Sequence, residues 1–583
     1  MSRFQVLWAL LRPLRGRLLL AIILTTTFTV FSLVPPLLMR FLMDRVVAPK
    51  QWGLLPLAIL LIVAVPIWNA YFAMMQRLII GSLGQRVVAD LRIKLFRTVL
   101  DLSMRYHGEN GAGMIMSRLM GDVGVVQRMV TGETLGIVSS LVALVFCSAL
   151  VVSINWQLSL IMAGMIAFYV INYHRFSGRI RAANLELREL MDDVTGQLQE
   201  RIAGVKLVKI YCREKDETDA FLVSTESALR FGMRSQLLAV SLSASARLIS
   251  NLGSTLIWCG SGWFVLQGQM TYGSLLALNA YVSGAVSPAV NLTTVAGNLV
   301  EALASLDRVI EILRQPIDIA DRPGARELPA PARGELELKK IFFSYKPGEP
   351  LFQGLSLHIP AGKMTALVGH TGCGKTTITS LLTRMWDVQG GAIELDGADI
   401  RELTQRCLRK QIAVVPQEPV VFEGTVFENI AYAHPDATLE EVEEAARAAQ
   451  IHDFIVRQPE GYRSALGKGG ITMSVGQKQR LTIARAILNK PAVIIMDEAT
   501  SSLDTESELT IQEAMKTVLR GRTSVVVAHR LSTIVEADRI VVMDHGEIIE
   551  LGTHQELMEI EDGHYRQLYE ELRGKQREEV ADA

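Results

Sequence analysis

Six apolar stretches within the first 300 residues constrain this chain more than any other feature. A helix needs about 20 mostly apolar residues to cross the hydrocarbon of a bilayer. Stretches near 18–39, 54–75, 135–154, 157–173, 237–266 and 273–300 meet that requirement. A buried helix of a soluble protein accounts for any one of them, but six with the charges kept outside point to a membrane domain. The joins at 154–157 and 266–273 hold no Lys or Arg, whereas 76–134 and 174–236 are long, polar and basic, with Arg86, Arg92, Arg97, Arg179, Arg181, Lys206 and Lys209. Positive residues stay in the cytoplasm, so both long segments and the N-terminus are placed there. The first outer loop, with Arg40, Arg45 and Lys50, fits that rule less cleanly. Six spans return the chain to the cytoplasm, where its polar second half belongs.

Both long cytoplasmic segments carry helical periodicity, as in 89–102 and 186–211, and read as extensions of the membrane helices. Polar or Gly-rich breaks are expected at 106–113 and 212–219, where the chain reverses. A chain of 583 residues exceeds one core. Its 49% hydrophobic and 20% charged content joins an oily part to a soluble one. The expected layout is a membrane domain over 1–313, a Pro- and Gly-rich linker over 314–335, an α/β domain over 336–575 and a charged tail over 576–583. A net charge of −1 carries no signature of a nucleic-acid binder. Cys147, Cys212, Cys259, Cys373 and Cys407 are scattered without metal-ligand spacing and read as reduced thiols. The basic N-terminus lacks a short apolar core and cleavage site, so no signal peptide is expected.

The strongest local signal is MTALVGHTGCGKTT (364–377), an apolar strand running into a glycine-rich loop. In this pattern, glycines let backbone N–H groups wrap a phosphate at a helix N-terminus; Lys375 contacts the β- and γ-phosphates and the Thr376 hydroxyl helps hold Mg²⁺. The apolar run AVIIMDEATSSLD (492–504) ends in two carboxylates. Asp497 suits the Mg²⁺ shell and Glu498 suits polarising an attacking water. An Asp-Glu pair after a strand is by itself only an exposed strand end; beside a phosphate loop it gains meaning. In MSVGQKQRLTIARAIL (473–488), Ser474 and Gly476 open a helix whose N-terminus attracts an anion, although most such starts are only caps.

The order of the phosphate loop, Gln417, MSVGQ, MDEATSSLD and His529 resembles the ATP-binding cassette (ABC) transporters. With the preceding spans, the chain resembles their exporter half-transporters of the multidrug and lipid-flippase group. The resemblance covers almost the whole chain. It implies six transmembrane helices with long cytoplasmic extensions, joined to an α/β P-loop NTPase cassette that hydrolyses ATP with Mg²⁺. Tyr345 matches the aromatic that stacks on adenine. Gly369, His370, Thr371, Gly372, Cys373, Gly374, Lys375, Thr376 and Thr377 form the phosphate loop. Gln417 matches the glutamine that senses Mg²⁺ and the γ-phosphate, and His529 the histidine that holds that phosphate. Ser474, Gly476 and Gln477 match the signature that contacts ATP held by another cassette, and Asp504 the loop crossing that interface. The breaks at 106–113 and 212–219 match the coupling helices. Two positions depart from the pattern: Val475 replaces the signature's first glycine, and Lys468, in SALGKGG (464–470), replaces an acid.

The resemblance implies a second copy as partner, or one different subunit in a heterodimer. It implies export of lipids, drugs or other amphipathic molecules through a bacterial inner membrane, with peptide or metal-conjugate export as the alternative. Arg247, Asn251, Asn279, Asn291 and Asn298 fall in or beside the last two spans; Arg247, Asn251, Asn291 and Asn298 are the candidates for the substrate cavity, and interhelical hydrogen bonding is the plainer role for each. The spans argue against a soluble nucleic-acid-repair ATPase. A peptide exporter that cleaves its cargo needs an N-terminal protease domain, and about one helix's worth of residues precedes the first span. Importers keep their membrane and ATPase parts on separate chains, and a nucleotide-gated channel is separable only by flux.

Overall fold

The computed structural model describes residues 12, 15–329, 332–467, 469–497, 505–528 and 530–581. Two compact units emerge: 1–100 with 110–315, and 101–109 with 316–583.

The first unit is helical. Its long helices are α1 (Arg15–Phe31), α2 (Leu55–Asp101), α3 (Thr134–Ile154), α4 (Trp156–Ala203), α5 (Glu214–Leu266) and α6 (Tyr272–Arg314). Among the described residues, four helical runs are long and apolar enough to cross a membrane: Arg15–Val47, Trp52–Asp101, Ala112–Ile154 and Trp156–Ala203. Six were expected from the sequence. Helices α5 and α6 have the length, at 53 and 43 residues, but Ser, Gly and Asn dilute their apolar parts, as in 250–255 and 283–288. Large apolar side chains such as Leu60, Ile67, Phe168 and Ile171 stand exposed on α2 and α4, as a lipid-facing surface requires. The stretch expected as one span at 18–39 is two helices, because Pro35 and Pro36 lie in the first turn of Val34–Phe41 and restart the helix there. The expected break at 212–219 shrinks to the turn 211–213. Glu214, Asp216 and Glu217 favour the N-terminus of α5, where negative charge meets the positive end of the helix dipole. The 106–113 break is likewise mostly helical, with Met104–Glu109 and Ala112–Ser117 flanking a turn.

Helices α4 and α5 run antiparallel with matched contacts along most of their length. A Cβ on Gly260 would stand 2.8 Å from Leu158, and one on Gly253 2.1 Å from Met165. Asn172 Nδ2 donates to Ser245 Oγ (2.8 Å), Ser224 Oγ to Gln197 Oε1 (3.0 Å), and Arg201 pairs with Glu217. Positions 158, 165 and 172 are seven apart, the spacing that keeps two helices in register as they wind around one another. Small residues let the backbones approach in the apolar part, where burial against lipid supplies little drive. Helix α6 is held by polar side chains: Arg188 pairs with Glu301, Asp122 with Arg308 and Arg118 with Glu311. At its other end, Asp44 accepts hydrogen bonds from Gly273 N–H (2.9 Å) and the Thr271 hydroxyl (2.6 Å). Gly273 has no room for a side chain, since a Cβ would lie 2.6 Å from Arg40 O.

The second unit is α/β. Its strands are β1 (Leu336–Phe343), β2 (Phe352–Ile359), β3 (Met364–Gly369), β4 (Gly390–Leu395), β5 (Ala398–Asp399), β6 (Ile412–Val415), β7 (Gly424–Thr425), β8 (Ala465–Leu466), β9 (Val493–Asp497), β10 (Thr523–Val527), β11 (Arg539–Asp544) and β12 (Glu547–Gly552). An antiparallel sheet orders β2-β1-β4-β5, and a second sheet orders β12-β11-β3-β10-β9-β6. In the second, β11, β3, β10, β9 and β6 are parallel and β12 is an antiparallel edge. Its central strands are apolar on both faces because both are covered. Ala366 and Val368 pack into one core, with α8 (Val475–Leu488) and α9 (Thr505–Leu519), while Leu367 packs into the other, with α7 (Lys375–Leu382). The segment after α6 is strapped to this unit. Arg326 exchanges backbone hydrogen bonds with Glu402 and Thr404, and Arg384, 1% exposed, donates to Ala320 O (3.2 Å) and Asp387 (3.0 Å).

Candidate functional site

In an open parallel sheet, the loops leaving the carboxyl ends of adjacent strands converge on one edge, and ligands bind there. Strands β6, β9, β10 and β3 are neighbours in that order. Val415 aligns with Met496, Asp497 with Val527, and Val527 with Leu367. The chain therefore leaves this edge at four adjacent points: towards Gln417, at Asp497, after Ala528, and at Gly369. Gln417 is exposed just beyond β6. Glu498, Asp504, His529 and Lys468 lie outside the described residues.

The loop after β3 is shaped by its glycines. Gly369, Gly372 and Gly374 have φ of 149°, 90° and 108°, values that L side chains rarely adopt. Two of the three also lack room: a Cβ on Gly369 would stand 2.2 Å from Met543 O, and one on Gly374 2.7 Å from the Phe352 ring. Gly374 caps α7 without a side-chain partner, leaving that helix's first N–H groups for a ligand. Lys375 is buried, and its Nζ donates to Gly369 O (2.7 Å) and His370 O (3.0 Å), folded back along the loop. His370, Thr371 and Thr376 are exposed at the loop surface, whereas Thr377 is buried and receives the Tyr345 hydroxyl at 3.1 Å. A loop of backbone donors with one inward lysine fits a nucleotide phosphate. Thr376, Gln417 and Asp497 offer oxygen donors, the class of ligand that Mg²⁺ takes.

Cys373 is 4% exposed and its Sγ lies 3.8 Å from Lys375 Nζ. Alkylation there would wedge bulk beneath the loop, so maleimide treatment is expected to stop ATP hydrolysis and ATP to slow the labelling. Equal labelling rates with and without ATP, followed by mass spectrometry of the Cys373 peptide, would count against it.

Ser474 caps α8 in a reciprocal box. Its Oγ accepts from Gln477 N–H (3.2 Å), and Gln477 Oε1 accepts from Ser474 N–H (2.9 Å). Gly476 is buried and Val475 half exposed. Helix α8 packs on β6, α9, Val426–Ile430 and Leu439–Ala448, while α7 packs on β3, β9 and β10. Within one cassette, the phosphate loop thus opens a helix that packs on β3, β9 and β10, and MSVGQ opens one that packs on β6, α9 and Leu439–Ala448. Sequence reading did not single out Gln479 or Arg485. Gln479 Nε2 donates to Pro416 O (3.2 Å), joining α8 to the segment holding Gln417. Arg485 donates to Asn429 O (2.8 Å) and Val420 O (3.2 Å) and lies over the stacked rings of Phe422 and Tyr432. Burial pulls its guanidinium below its ordinary pKa, with Tyr432 opposing. No periodicity marks either residue, because their partners are backbone carbonyls far along the chain.

In the first unit, Arg247 and Asn251 are exposed one turn apart on α5, and Asn291 and Asn298 lie on α6. Asn298 Nδ2 donates to Glu133 Oε1 (2.9 Å), so that asparagine is engaged in holding two helices together. Asn279 is buried and bonds back to Leu275 O (3.0 Å) within its own helix.

Comparison with known proteins decides the family. The ABC transporter transmembrane region matches residues 18–289 and the ABC transporter family matches residues 352–501. An ATP-dependent lipid A-core flippase of Syntrophus aciditrophicus is 35% identical, over 96% of this chain and 92% of its own. This chain belongs to the ABC transporters. A Bacillus subtilis relative named for multidrug export, YgaD, is 34% identical over 96% of this chain and 97% of its own. A solved bacterial Atm1-family ABC exporter with ATP bound is 27% identical with a TM-score of 0.80, over 96% of this chain and 98% of the other. The ABC chain described here is accordingly a multi-pass membrane protein, a helical membrane domain fused to an ATPase cassette, and an exporter that couples ATP hydrolysis to transport.

Proposed function

We propose that this ABC exporter works as a homodimer that moves lipids or other amphipathic molecules from the inner leaflet or cytoplasmic side outward, across a bacterial inner membrane. What supports the dimer is that the helix opened by the phosphate loop and the helix opened by MSVGQ pack against different elements of the cassette. By the family resemblance, a nucleotide held by the phosphate loop meets the MSVGQ helix start of a second cassette. The short helix Val205–Ile210, with Leu207, Ile210 and the following Tyr211 each more than 60% exposed, supports the same reading. Such an apolar face is suited to a partner rather than to water.

On this reading α1, α2, α3, α4, α5 and α6 supply six spans, Arg247 and Asn251 face the cargo with Asn291 and Asn298, and the linker 314–335 separates membrane domain from cassette. Tyr345 stacks on adenine, the loop Gly369–Thr377 holds the phosphates, and Ser474, Gly476, Gln477 and Asp504 approach from the partner. Thr376, Gln417 and Asp497 hold Mg²⁺, which supplies charge neutralisation at the phosphates. Glu498 orients and deprotonates water, and His529 fixes the γ-phosphate. Closure of the cassettes on ATP biases the membrane domain to its outward form, and phosphate release resets it.

The relatives' names support lipid or drug as cargo. The test is ATP hydrolysis by the purified chain alone in lipid nanodiscs, across a panel of lipids and amphipathic drugs. Turnover altered by one class of compound is expected. No turnover from folded protein would overturn the homodimer and point to a second, different subunit.

A further inference from the structure

The segment 101–109 groups with the cassette although it continues directly from α2. Its contacts there include two from Ser103 and Arg105. The Ser103 hydroxyl donates to Asp318 (3.0 Å), and the Arg105 guanidinium lies over the Trp386 ring, 5.6 Å from its centroid. Trp386 in turn meets Tyr345 edge to face, at 5.0 Å and 90°. Phe343 closes the cluster, T-shaped to both Tyr345 (4.9 Å) and Trp386 (6.1 Å). Phe352 packs behind Phe343 and fills the space beside Gly374 of the phosphate loop. Tyr345 is 40% exposed, so one face of its ring remains available while its edge is braced.

We propose that Arg105 is a positioning residue for the adenine site, orienting the Tyr345 ring through Trp386 and so linking base occupancy to the chain that continues from α2. The proposal rests on the reading that Tyr345 stacks on adenine. A cation over an indole face restricts that ring, because the attraction falls as the ring turns away. Edge-to-face contact passes the restriction on, since a tilted Trp386 would push its edge into Tyr345. Linkage makes the effect reciprocal: whatever moves Arg105 changes ATP affinity, and ATP binding changes the hold on Arg105.

The test uses the full chain in nanodiscs. Arg105→Ala is expected to raise KM for ATP about two- to fivefold, the span of an exposed cation–π contact, with kcat within about twofold. Arg105→Lys, which keeps the cation, is expected to restore most of the loss. In a Tyr345→Ala background, itself expected to raise KM, Arg105→Ala should add nothing, as for two residues acting through one contact. Trp386 emission, isolated by subtracting the Trp386→Phe spectrum, should change with ATP and stay constant with tripolyphosphate, which has no base. If Tyr345→Ala raises KM and Arg105→Ala does not, or if the two losses simply add, the positioning role is wrong. If Tyr345→Ala leaves KM unchanged, adenine stacking on Tyr345 fails and the proposal falls with it.

Discussion

Glu498→Gln is expected to cut ATP turnover by about 10²- to 10⁴-fold, the range for loss of a positioned general base, while ATP still binds. Glutamine matches glutamate in size and still accepts a hydrogen bond at its carbonyl oxygen, so the water site keeps its shape but loses its proton acceptor. Glu498 follows Asp497, the last residue of β9, in the sequence, and β9 ends at the sheet edge where the phosphate loop begins two strands away. Turnover and nucleotide binding need to be measured on the same nanodisc preparation. Hydrolysis near the unmodified rate would remove Glu498 from the base role; loss of binding would make the residue structural instead.

Gly369→Ala is expected to weaken ATP binding by about ten- to a hundredfold. The φ of 149° alone costs a side-chain-bearing residue about 1–3 kcal/mol. The new methyl would also stand 2.2 Å from Met543 O on β11, a backbone atom that cannot swing aside. Relief requires the loop to leave the sheet edge, and with it the N–H groups aimed at the phosphates. Gly372→Ala is the matched control, because its Cβ would meet nothing within 4 Å and only the φ of 90° opposes it. Titration with a fluorescent ATP analogue should rank the two variants, Gly369→Ala the weaker. Equal affinities would show that crowding against β11 is unimportant.

The cassette's chemistry was largely legible because its signals are local. Met364 to Thr377 is a strand-turn-helix read in fourteen residues, and the Ser474 cap needs only the Gln three positions later. The strand order that lines up Gln417, Asp497 and Gly369 was not legible, since it includes β3 lying beside β10, segments more than a hundred residues apart. Membrane helices were legible where leucine, isoleucine, valine and alanine run unbroken, as over 57–65 in α2. Their limits blurred where small or polar residues serve helix contacts, as Gly253, Ser245 and Asn298 do. The cytoplasmic breaks were placed too wide because charge was read as loop, whereas Glu214, Asp216 and Glu217 begin a helix. Tyr345 was singled out by its motif, while its brace of Trp386 and Arg105 has no motif at all.

The matched contacts along α4 and α5 have a mechanical consequence. At 1.5 Å per residue, the 48 residues of α4 extend about 70 Å, and α5 splints them from Arg201 to Leu158. A single helix of that length bends easily, but two in register resist bending, because bending would slide one past the other and break the interlock at Met165 and Gly253. The pair is thus a stiff lever with the short Val205–Ile210 helix at its tip. Turning it by 5° moves that tip by about 6 Å, larger than the 5.4 Å pitch of one helical turn. A small rotation within the membrane and a large displacement outside it are the same motion, and flexibility introduced midway, for instance by proline at position 180, would dissipate the throw before it reached either end.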